Sequence, residues 1–118
     1  MASLVAPAAS FASAAVSARA AFAALPRWWV RDALCIHRHE SSDWHRTTDW
    51  LGRPSFDHGG MQIAVGTWSH FAPRGFPREP AAASPHEQLV VAYRIWNANG
   101  RRFGGGQWPY SSQSCHVA

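Results

Sequence analysis

Two cysteines, Cys35 and Cys115, constrain the fold of this chain more than any other feature of its sequence. An even number of cysteines in a small chain favours a disulfide. Such a bridge would close a loop of roughly 80 residues and contribute about 4 kcal/mol in the chain-entropy model. Two unrelated buried thiols are the alternative, whereas a zinc site needs more ligands at close spacing than this pair provides. We expect the disulfide, and with it an oxidising compartment.

Length and composition predict one domain. The chain has 118 residues, 47% of them hydrophobic, which is enough to bury one core but too short for two domains. Seven tryptophans are many for this length, so we expect some in the core and others free to stack on ligands such as sugar rings. All 11 basic residues are arginines, and the formal charge of +4 favours anionic partners without choosing among them. No stretch reaches the roughly 20 apolar residues that span a bilayer.

Residues 1–25 differ in composition from the rest of the chain. They are rich in Ala and Ser, lack acidic residues and end in small residues around Ala20–Ala24, which is typical of a signal-peptide cleavage region. The basic start of a signal peptide is missing, however, and Arg19 comes late. We interpret residues 1–25 as an Ala-rich leader or signal-like segment and residues 26–118 as the folded domain.

Hydrophobic periodicity predicts a mainly helical fold. The first helix is expected over Pro26–Glu40, with apolar residues spaced for one buried face. Polar and turn-forming residues predict a long loop over residues 41–60, with room for a short hairpin, and Met61–Phe71 fits a short strand or helix. Four prolines between Ala72 and Pro85 predict a surface loop.

A second helix has clear start and stop signals. Ser84, Pro85 and Glu87 form the pattern of a capping box with proline at the first helical position. The helix is expected to stop at Asn99-Gly100. The three glycines of residues 104–106 predict a flexible link that follows it.

Glu40 is the candidate for acid catalysis. It ends the first helix, where the negative end of the helix dipole disfavours a second negative charge. Aromatic neighbours such as Trp44 could remove water from it, and both effects raise the pKa of a carboxyl group. Cleavage of a glycosidic bond needs a carboxylic acid that stays protonated near neutral pH. A glutamate at a helix end is ordinarily just solvated, so the motifs around Glu40 must decide whether it has a function.

Short motifs follow one another along the chain in a specific order. They are CIHRHESSDW at Cys35–Trp44, GGMQI at Gly59–Ile63, TW at Thr67-Trp68, HEQLVVA at His86–Ala92, and WP at Trp108-Pro109 with the later Cys115. In this order and spacing they resemble the catalytic domain of resuscitation-promoting factors and related actinobacterial transglycosylase-like proteins. The resemblance extends from about Trp28 to Cys115.

The resemblance implies a lysozyme-like fold, mainly α with an α+β character, a substrate cleft and one disulfide between Cys35 and Cys115. It implies that Glu40 is the catalytic acid of a secreted or cell-wall-associated muralytic enzyme, either a lytic transglycosylase or a muramidase. The bond cleaved would be the β-1,4 bond between N-acetylmuramic acid and N-acetylglucosamine in peptidoglycan. The residues that the resemblance assigns to substrate binding are Trp44, Gly59, Gly60, Gln62, Thr67, Trp68 and Asn99. Of these, Trp68 is equally expected in the core, and the alignment at Asn99 is loose.

The number of carboxylates separates two mechanisms. Ordinary glycosidases use two carboxylates about 5–10 Å apart, and Asp43, Asp49 and Asp57 lie in the polar loop from which they could approach the cleft. Lytic transglycosylases use a single glutamate, first as acid and then as base, while the N-acetyl group and 6-hydroxyl of the substrate give nucleophilic help. We favour this single-glutamate mechanism.

Three positions depart from the family pattern. Ser41-Ser42-Asp43 stands where the family commonly has two glycines after the glutamate. Four residues separate Cys35 from Glu40, more than in the resuscitation factors. Ala64 occupies a position where some members have an aspartate. These departures bear on the activity more than on the fold.

Two other functions compete with the enzyme. A non-catalytic peptidoglycan-binding or cell-wall-binding module on the same fold would keep its glycan affinity after replacement of Glu40. A nucleic-acid-binding domain is disfavoured because the arginines are spread evenly from Arg19 to Arg102. His37 and His39 point about 200° apart on a helix and cannot share a metal ion. We expect no cofactor, no metal, no nucleic acid and no transmembrane segment, a monomer acting on peptidoglycan glycan strands, and a peptidase partner that the sequence does not identify.

Overall fold

The computed structural model describes residues 18–118 and contains short helices around a very small sheet. Residues 18–23 are helical. The elements that follow are α1 (Arg27–Glu40), β1 (Asp57–His58), β2 (Ile63–Ala64), α2 (Val65–Phe71), a 3-10 turn (Pro80–Ala82), α3 (Pro85–Ala98) and α4 (Pro109–Cys115). β1 and β2 form an antiparallel hairpin. The predicted fold class, a small and mainly helical single domain with one disulfide, is confirmed.

Helix α1 begins and ends where the sequence predicts. Pro26 precedes its first turn, and the helix stops at Ser41, whose backbone N–H donates to the carbonyl of His37. One face of the helix is buried, as the apolar spacing requires. The side chains buried on that face are Trp29, Ala33, Ile36 and His37.

Helix α3 has the predicted capping box. The Ser84 hydroxyl accepts from the Glu87 N–H at 3.1 Å, and the Glu87 carboxylate accepts from the Ser84 N–H at 2.8 Å. The helix ends at Asn99, and Gly100 follows with a φ of 71°, a left-handed conformation that glycine adopts without a steric penalty. Both ends of α3 are therefore fixed by local chemistry that is visible in the sequence.

Aromatic side chains join α1 to α3. The buried ring of Trp29 lies edge-on to Tyr93 and Trp96, with ring centroids 5.0 and 6.1 Å apart, and stacks on Phe103 at 5.8 Å. The expectation that some tryptophans are in the core is confirmed. The tryptophans with almost no exposed surface are Trp29, Trp68, Trp96 and Trp108.

Helix α4 packs against α1 and carries the second cysteine. The Cys35–Cys115 disulfide joins the two helices, with their Cα atoms 6.0 Å apart, so the predicted bridge is confirmed. The indole N–H of Trp108, just before α4, donates to the carbonyl of Met61 at 2.7 Å. These two links attach α4 to α1 and to the hairpin.

Two sequence expectations need correction. The proline-rich segment 72–85 is not only a surface loop, because Ala83 is fully buried and Pro80 and Ala81 have almost no exposed surface. The glycines predicted to form a flexible link instead form a packed turn. A Cβ atom on Gly104 would lie 2.8 Å from the Ser112 hydroxyl, so the lack of a side chain permits this contact.

Residues 18–25 contact the domain. Ala18 is buried, and the ring of Phe22 stacks on His86 with centroids 4.1 Å apart. Phe22 and Leu25 also pack against the hydrophobic core. The part of the predicted leader that comes before residue 18 lies outside the described residues. None of the helices described in residues 18–118 is long and apolar enough to cross a membrane.

We expect the disulfide to be a large part of the stability of this small domain. Replacing both Cys35 and Cys115 by alanine should lower the free energy of unfolding by about 4 kcal/mol, because the unfolded chain regains the entropy of a long open loop. Urea denaturation measures the change, with Ser114→Ala on the exposed side of α4 as the control. Equal stability of the double variant and the wild type would contradict this expectation.

Candidate active site

The carboxyl group of Glu40 lies where α1 and α4 meet. Glu40 is the last residue of α1 and is half-buried. The hydroxyl of Ser111, a buried residue of α4, donates a hydrogen bond to its carboxylate. The disulfide holds the same two helices together. The position of this acid is therefore set by contacts far apart in the sequence.

The surroundings of Glu40 favour its protonated form. Burial raises the pKa of its carboxyl above the usual value of 4.5, and the nearby negative charge of Asp57 raises the pKa further. The hydrogen bond from Ser111 and the neighbouring His39 act in the opposite direction but do not cancel the effect of burial. The raised pKa expected from the sequence is present, and desolvation is its main cause.

Trp44, which the sequence suggested as a neighbour of the acid, lies flat on His37. The ring centroids are 3.8 Å apart and the planes differ by 13°. His37 in turn donates from Nδ1 to the carbonyl of Gly60 at 2.8 Å. Trp44 and His37 thus join the end of α1 to the turn of the hairpin.

The turn between β1 and β2 is held by one buried amide. Gln88 on α3 has no exposed surface, and its Oε1 accepts from the Gly60 N–H at 2.9 Å. Its Nε2 donates to the carbonyls of Trp44 at 2.8 Å and Ala83 at 3.0 Å. The single side chain of Gln88 therefore fixes the hairpin, the loop after α1 and the entry to α3 relative to one another.

The two glycines of the hairpin turn permit close packing against the protein itself. A Cβ atom on Gly60 would lie 2.3 Å from Cε3 of Trp44, and one on Gly59 would lie 2.5 Å from Oε1 of Gln88. Gly59 also has a φ of 83°, which favours glycine. The sequence suggested that these glycines admit a glycan. The neighbours that require them in the folded domain are the side chains of Trp44 and Gln88.

The other predicted substrate-binding residues have different surroundings. The Gln62 amide donates to the carbonyl of Gly59 at 2.9 Å, inside the turn. Thr67 is half-buried on α2. Asn99 is the exposed C-cap that follows α3, with its amide against Gly106.

Trp68 belongs to the core. It has no exposed surface, and its indole N–H donates to the carbonyl of Pro77 at 2.8 Å. Of the two places that the sequence left open for this ring, core and cleft, the structure shows the first. A completely buried ring offers no face to a ligand.

The model of the family described as transglycosylase-like domain matches residues 39–111, more than half of the chain. The matched segment begins at His39 and ends at Ser111. It therefore contains both Glu40 and Ser111, whose side chains share the hydrogen bond described above. The chain belongs to the transglycosylase-like domain family. Comparisons with curated proteins and with solved structures gave no match.

Two features of this transglycosylase-like domain were missed by reasoning from the sequence. Ser111 gave no local signal, because its role depends on α4 folding back onto α1. Gln88 lies in the HEQLVVA motif, where an amide among apolar residues of a buried helix face is the signal that could have singled it out. A buried amide needs partners for both its donor and its acceptor atoms.

One set of potential metal ligands occurs among residues 18–118. The side-chain atoms of Cys35, His39 and Cys115 lie within 4.8 Å of one another. Both sulfur atoms are joined in the disulfide, so they are not available as thiolate ligands. This arrangement does not constitute a metal site in the oxidised domain.

We expect Gly60→Ala to destabilise this transglycosylase-like domain. The new methyl group would overlap the ring of Trp44 and the Nδ1 atom of His37, so the stack must shift, at about 1–3 kcal/mol. Urea denaturation measures the loss. Gly66→Ala on α2 is the matched control, because its Cβ atom would meet nothing within 4 Å, and alanine favours a helix by up to about 1 kcal/mol. Equal effects of the two substitutions would contradict the packing role of Gly60.

We expect Glu40→Gln to stabilise the fold at neutral pH. Since the pKa of Glu40 is raised, the folded protein binds the proton of the Glu40 carboxyl group more tightly than the unfolded chain does. The stability linked to this proton is complete below the unfolded value of 4.5 and is lost as the pH rises through the folded pKa. Glutamine is neutral throughout, so its thermal midpoint should exceed that of wild type at neutral pH and approach it in acid.

Asp49 provides a control because its pKa is shifted in the opposite direction to that of Glu40. The backbone N–H of Arg53 is the main cause that lowers the pKa of Asp49, so the stability it contributes is lost as the pH falls through that lowered pKa. Asp49→Asn should therefore have a lower thermal midpoint than wild type at neutral pH, with the difference closing in strong acid. Shifts of the same sign in both variants would contradict the two pKa directions.

Proposed function

We propose that this transglycosylase-like domain cleaves the glycan strands of peptidoglycan at the β-1,4 bond between N-acetylmuramic acid and N-acetylglucosamine, with Glu40 as the acid. The observation that carries the proposal is a half-buried carboxyl of raised pKa, held by a buried serine, in a chain of the transglycosylase-like domain family. A solvated helix-end glutamate would have neither the burial nor the fixed partner.

The first step needs the protonated form of Glu40. The acid donates its proton to the bridging oxygen as the bond from this oxygen to C1 of the muramic acid breaks. N-acetylglucosamine leaves with a free 4-hydroxyl, and the carbonyl oxygen of the neighbouring N-acetyl group forms a bond to C1. The positive charge then lies on the acetamido group, and Glu40 is a carboxylate.

The second step uses the same residue as a base. The Glu40 carboxylate accepts a proton from the 6-hydroxyl of the muramic acid or from water, and the oxygen that loses this proton forms a bond to C1 while the acetamido oxygen leaves. The product is a 1,6-anhydro end in the first case and a hydrolysed end in the second. Glu40 regains its proton, so one glutamate completes the cycle.

Exposed aromatic rings next in sequence to Ser111 and Asp57 support a role in binding glycan. Ser111 acts as a positioning residue, because its hydrogen bond fixes where the Glu40 proton lies. Tyr110, next to it on α4, is 80% exposed, and Phe56, next to Asp57, is 89% exposed. Exposed aromatic rings are suited to stacking on the apolar faces of sugars. The proposed substrate contacts also include Trp44, Gln62, Thr67 and Asn99.

We further propose that residues 26–118 form the catalytic unit and that residues 1–25 serve as a leader for export, of which residues 18–25 pack against the catalytic unit while the chain is uncleaved. The disulfide is compatible with an oxidising compartment outside the cytoplasm. Peptidoglycan is the partner that this transglycosylase-like domain implies, and we expect the domain to act on it as a monomer.

We expect Glu40→Gln to reduce the release of wall fragments strongly. Loss of a general acid should lower the rate by about 10²–10⁴-fold, because the leaving oxygen can no longer be protonated in place. Turbidity loss of purified peptidoglycan, followed by mass analysis of the fragments, measures this change with the disulfide intact. Asp32→Asn, on the same helix, is the control and should clear the wall at the wild-type rate.

The same assay separates the enzyme from a binding module. If wild type and Glu40→Gln both sediment with the wall but neither releases fragments, the domain binds peptidoglycan without cleaving it and the enzyme proposal is rejected. Fragments with 1,6-anhydro ends would identify lytic transglycosylation. Fragments with reducing ends would identify a muramidase.

A further inference from the structure

Three aspartates, Asp43, Asp49 and Asp57, follow α1 up to the first strand of the hairpin, and within the described residues only the Asp57 carboxylate has no hydrogen-bond partner. The Asp43 carboxylate accepts from the backbone N–H of His45 at 2.8 Å. The Asp49 carboxylate accepts from the N–H groups of Leu51 and Arg53, both at 2.9 Å, and pairs with the Arg53 guanidinium. Asp57 uses only its backbone, through an N–H that donates to the Ser55 hydroxyl and through its pairing with Ala64. Its exposed carboxylate is therefore available to a ligand.

The contacts of His58 show on which face of the hairpin the side chain of Asp57 lies. Successive residues of a strand point to opposite faces. His58 is directed towards Glu79 and the carbonyl of Ser55, with contacts of 3.2 and 2.8 Å, so the side chain of Asp57 leaves the hairpin on the other face.

The hairpin is fastened to α1 on the side that carries Glu40. His37 bonds to Gly60 in the turn, and Glu40 follows His37 by three residues, which puts both on one side of the helix. The bond from His37 therefore attaches the hairpin that contains Asp57 to the last turn of α1, which ends at Glu40. The negative charge of Asp57 accordingly reaches Glu40, since it is one of the causes that raise the pKa of that carboxyl.

We propose that Asp57 is a second carboxylate of the site, which stabilises the positive charge that develops on the muramic acid during cleavage. This role rests on the proposed function of Glu40 and deepens it. As the bond from C1 to the bridging oxygen breaks, positive charge builds up on C1 and the ring oxygen and then passes to the acetamido group. A fixed negative charge facing the sugar lowers the energy of that state.

Asp57 forms no bond to the sugar in this mechanism. The acetamido oxygen still supplies the nucleophile, and Glu40 still donates and accepts the proton, so the balance of atoms and charges is unchanged. The same negative charge of Asp57 also holds the proton on Glu40. Asp57 therefore serves two electrostatic purposes, and both disappear when its charge is removed.

The test compares wild type with Asp57→Asn, an isosteric change at an exposed position. We expect turnover on purified peptidoglycan to fall by about 10²-fold with little change in KM, because the substrate in its ground state carries no positive charge there. The basic limb of the pH–rate profile should also move to lower pH, since Glu40 loses a negative neighbour. Asp32→Asn, which removes a charge elsewhere on α1, should keep the wild-type turnover and profile.

A rescue variant tests the charge itself. Ala64 is the direct partner of Asp57 across the hairpin, so the two side chains lie on one face with Cβ atoms about 5 Å apart. Adding Ala64→Asp to Asp57→Asn returns a carboxylate to that face and should recover at least tenfold of the lost turnover and move the basic limb back. A purely structural role of Asp57 in β1 would give no recovery.

The outcomes separate this inference from the proposed function. Wild-type turnover and an unshifted profile in Asp57→Asn would overturn the role of Asp57 and leave Glu40 as the acid. No fragments from the wild type itself would reject the proposed function and the role of Asp57 together. Lost turnover without a shift of the basic limb, and without recovery in the rescue variant, would also overturn the electrostatic role.

Discussion

The buried amide of Gln88 is the contact on which the rest of this site depends. It supplies hydrogen bonds to three backbone segments that approach one another only in the folded domain: the hairpin turn, the loop after α1 and the entry to α3. A buried backbone group left without a partner costs about 1–3 kcal/mol, so the three segments need this one side chain. Gly60 in the hairpin turn is thus bonded twice, through its N–H to Gln88 and through its carbonyl to His37 on α1.

The acid itself is held at some cost to stability. Burial of a carboxylate is unfavourable, and the structure keeps Glu40 half-buried although glutamine would fit the same hydrogen bond from Ser111. A cost of this kind agrees with the proposed catalytic role of Glu40, since a residue that serves a reaction need not be the one that most stabilises the fold. The disulfide joins the same two helices and stabilises the region in which the buried carboxyl of Glu40 lowers the stability of the fold.

Sequence reasoning predicted the parts of the fold that depend on local chemistry. The bounds of α1 and α3 follow from their prolines, from the capping box and from Gly100, all of which act within a few residues. Helix α4, Ser111 and the role of Gln88 were not predicted, because they depend on contacts between segments far apart in the chain. Glu40 was singled out from its helix end, whereas the stack of Trp44 on His37 was not predicted, because it depends on the path of the loop after α1.

Ser41-Ser42-Asp43, where the family commonly has two glycines, forms a turn that side-chain hydrogen bonds hold together. Glycines form tight turns because their backbone adopts conformations closed to other residues. Here, hydrogen bonds from side chains stabilise the turn instead. The Ser41 hydroxyl bonds to both the N–H and the carbonyl of Asp43, and the Asp43 carboxylate caps His45. The turn brings Trp44 back onto His37. The hydrogen bonds of Ser41 and Asp43 therefore fix the path of the loop between Glu40 and Trp44.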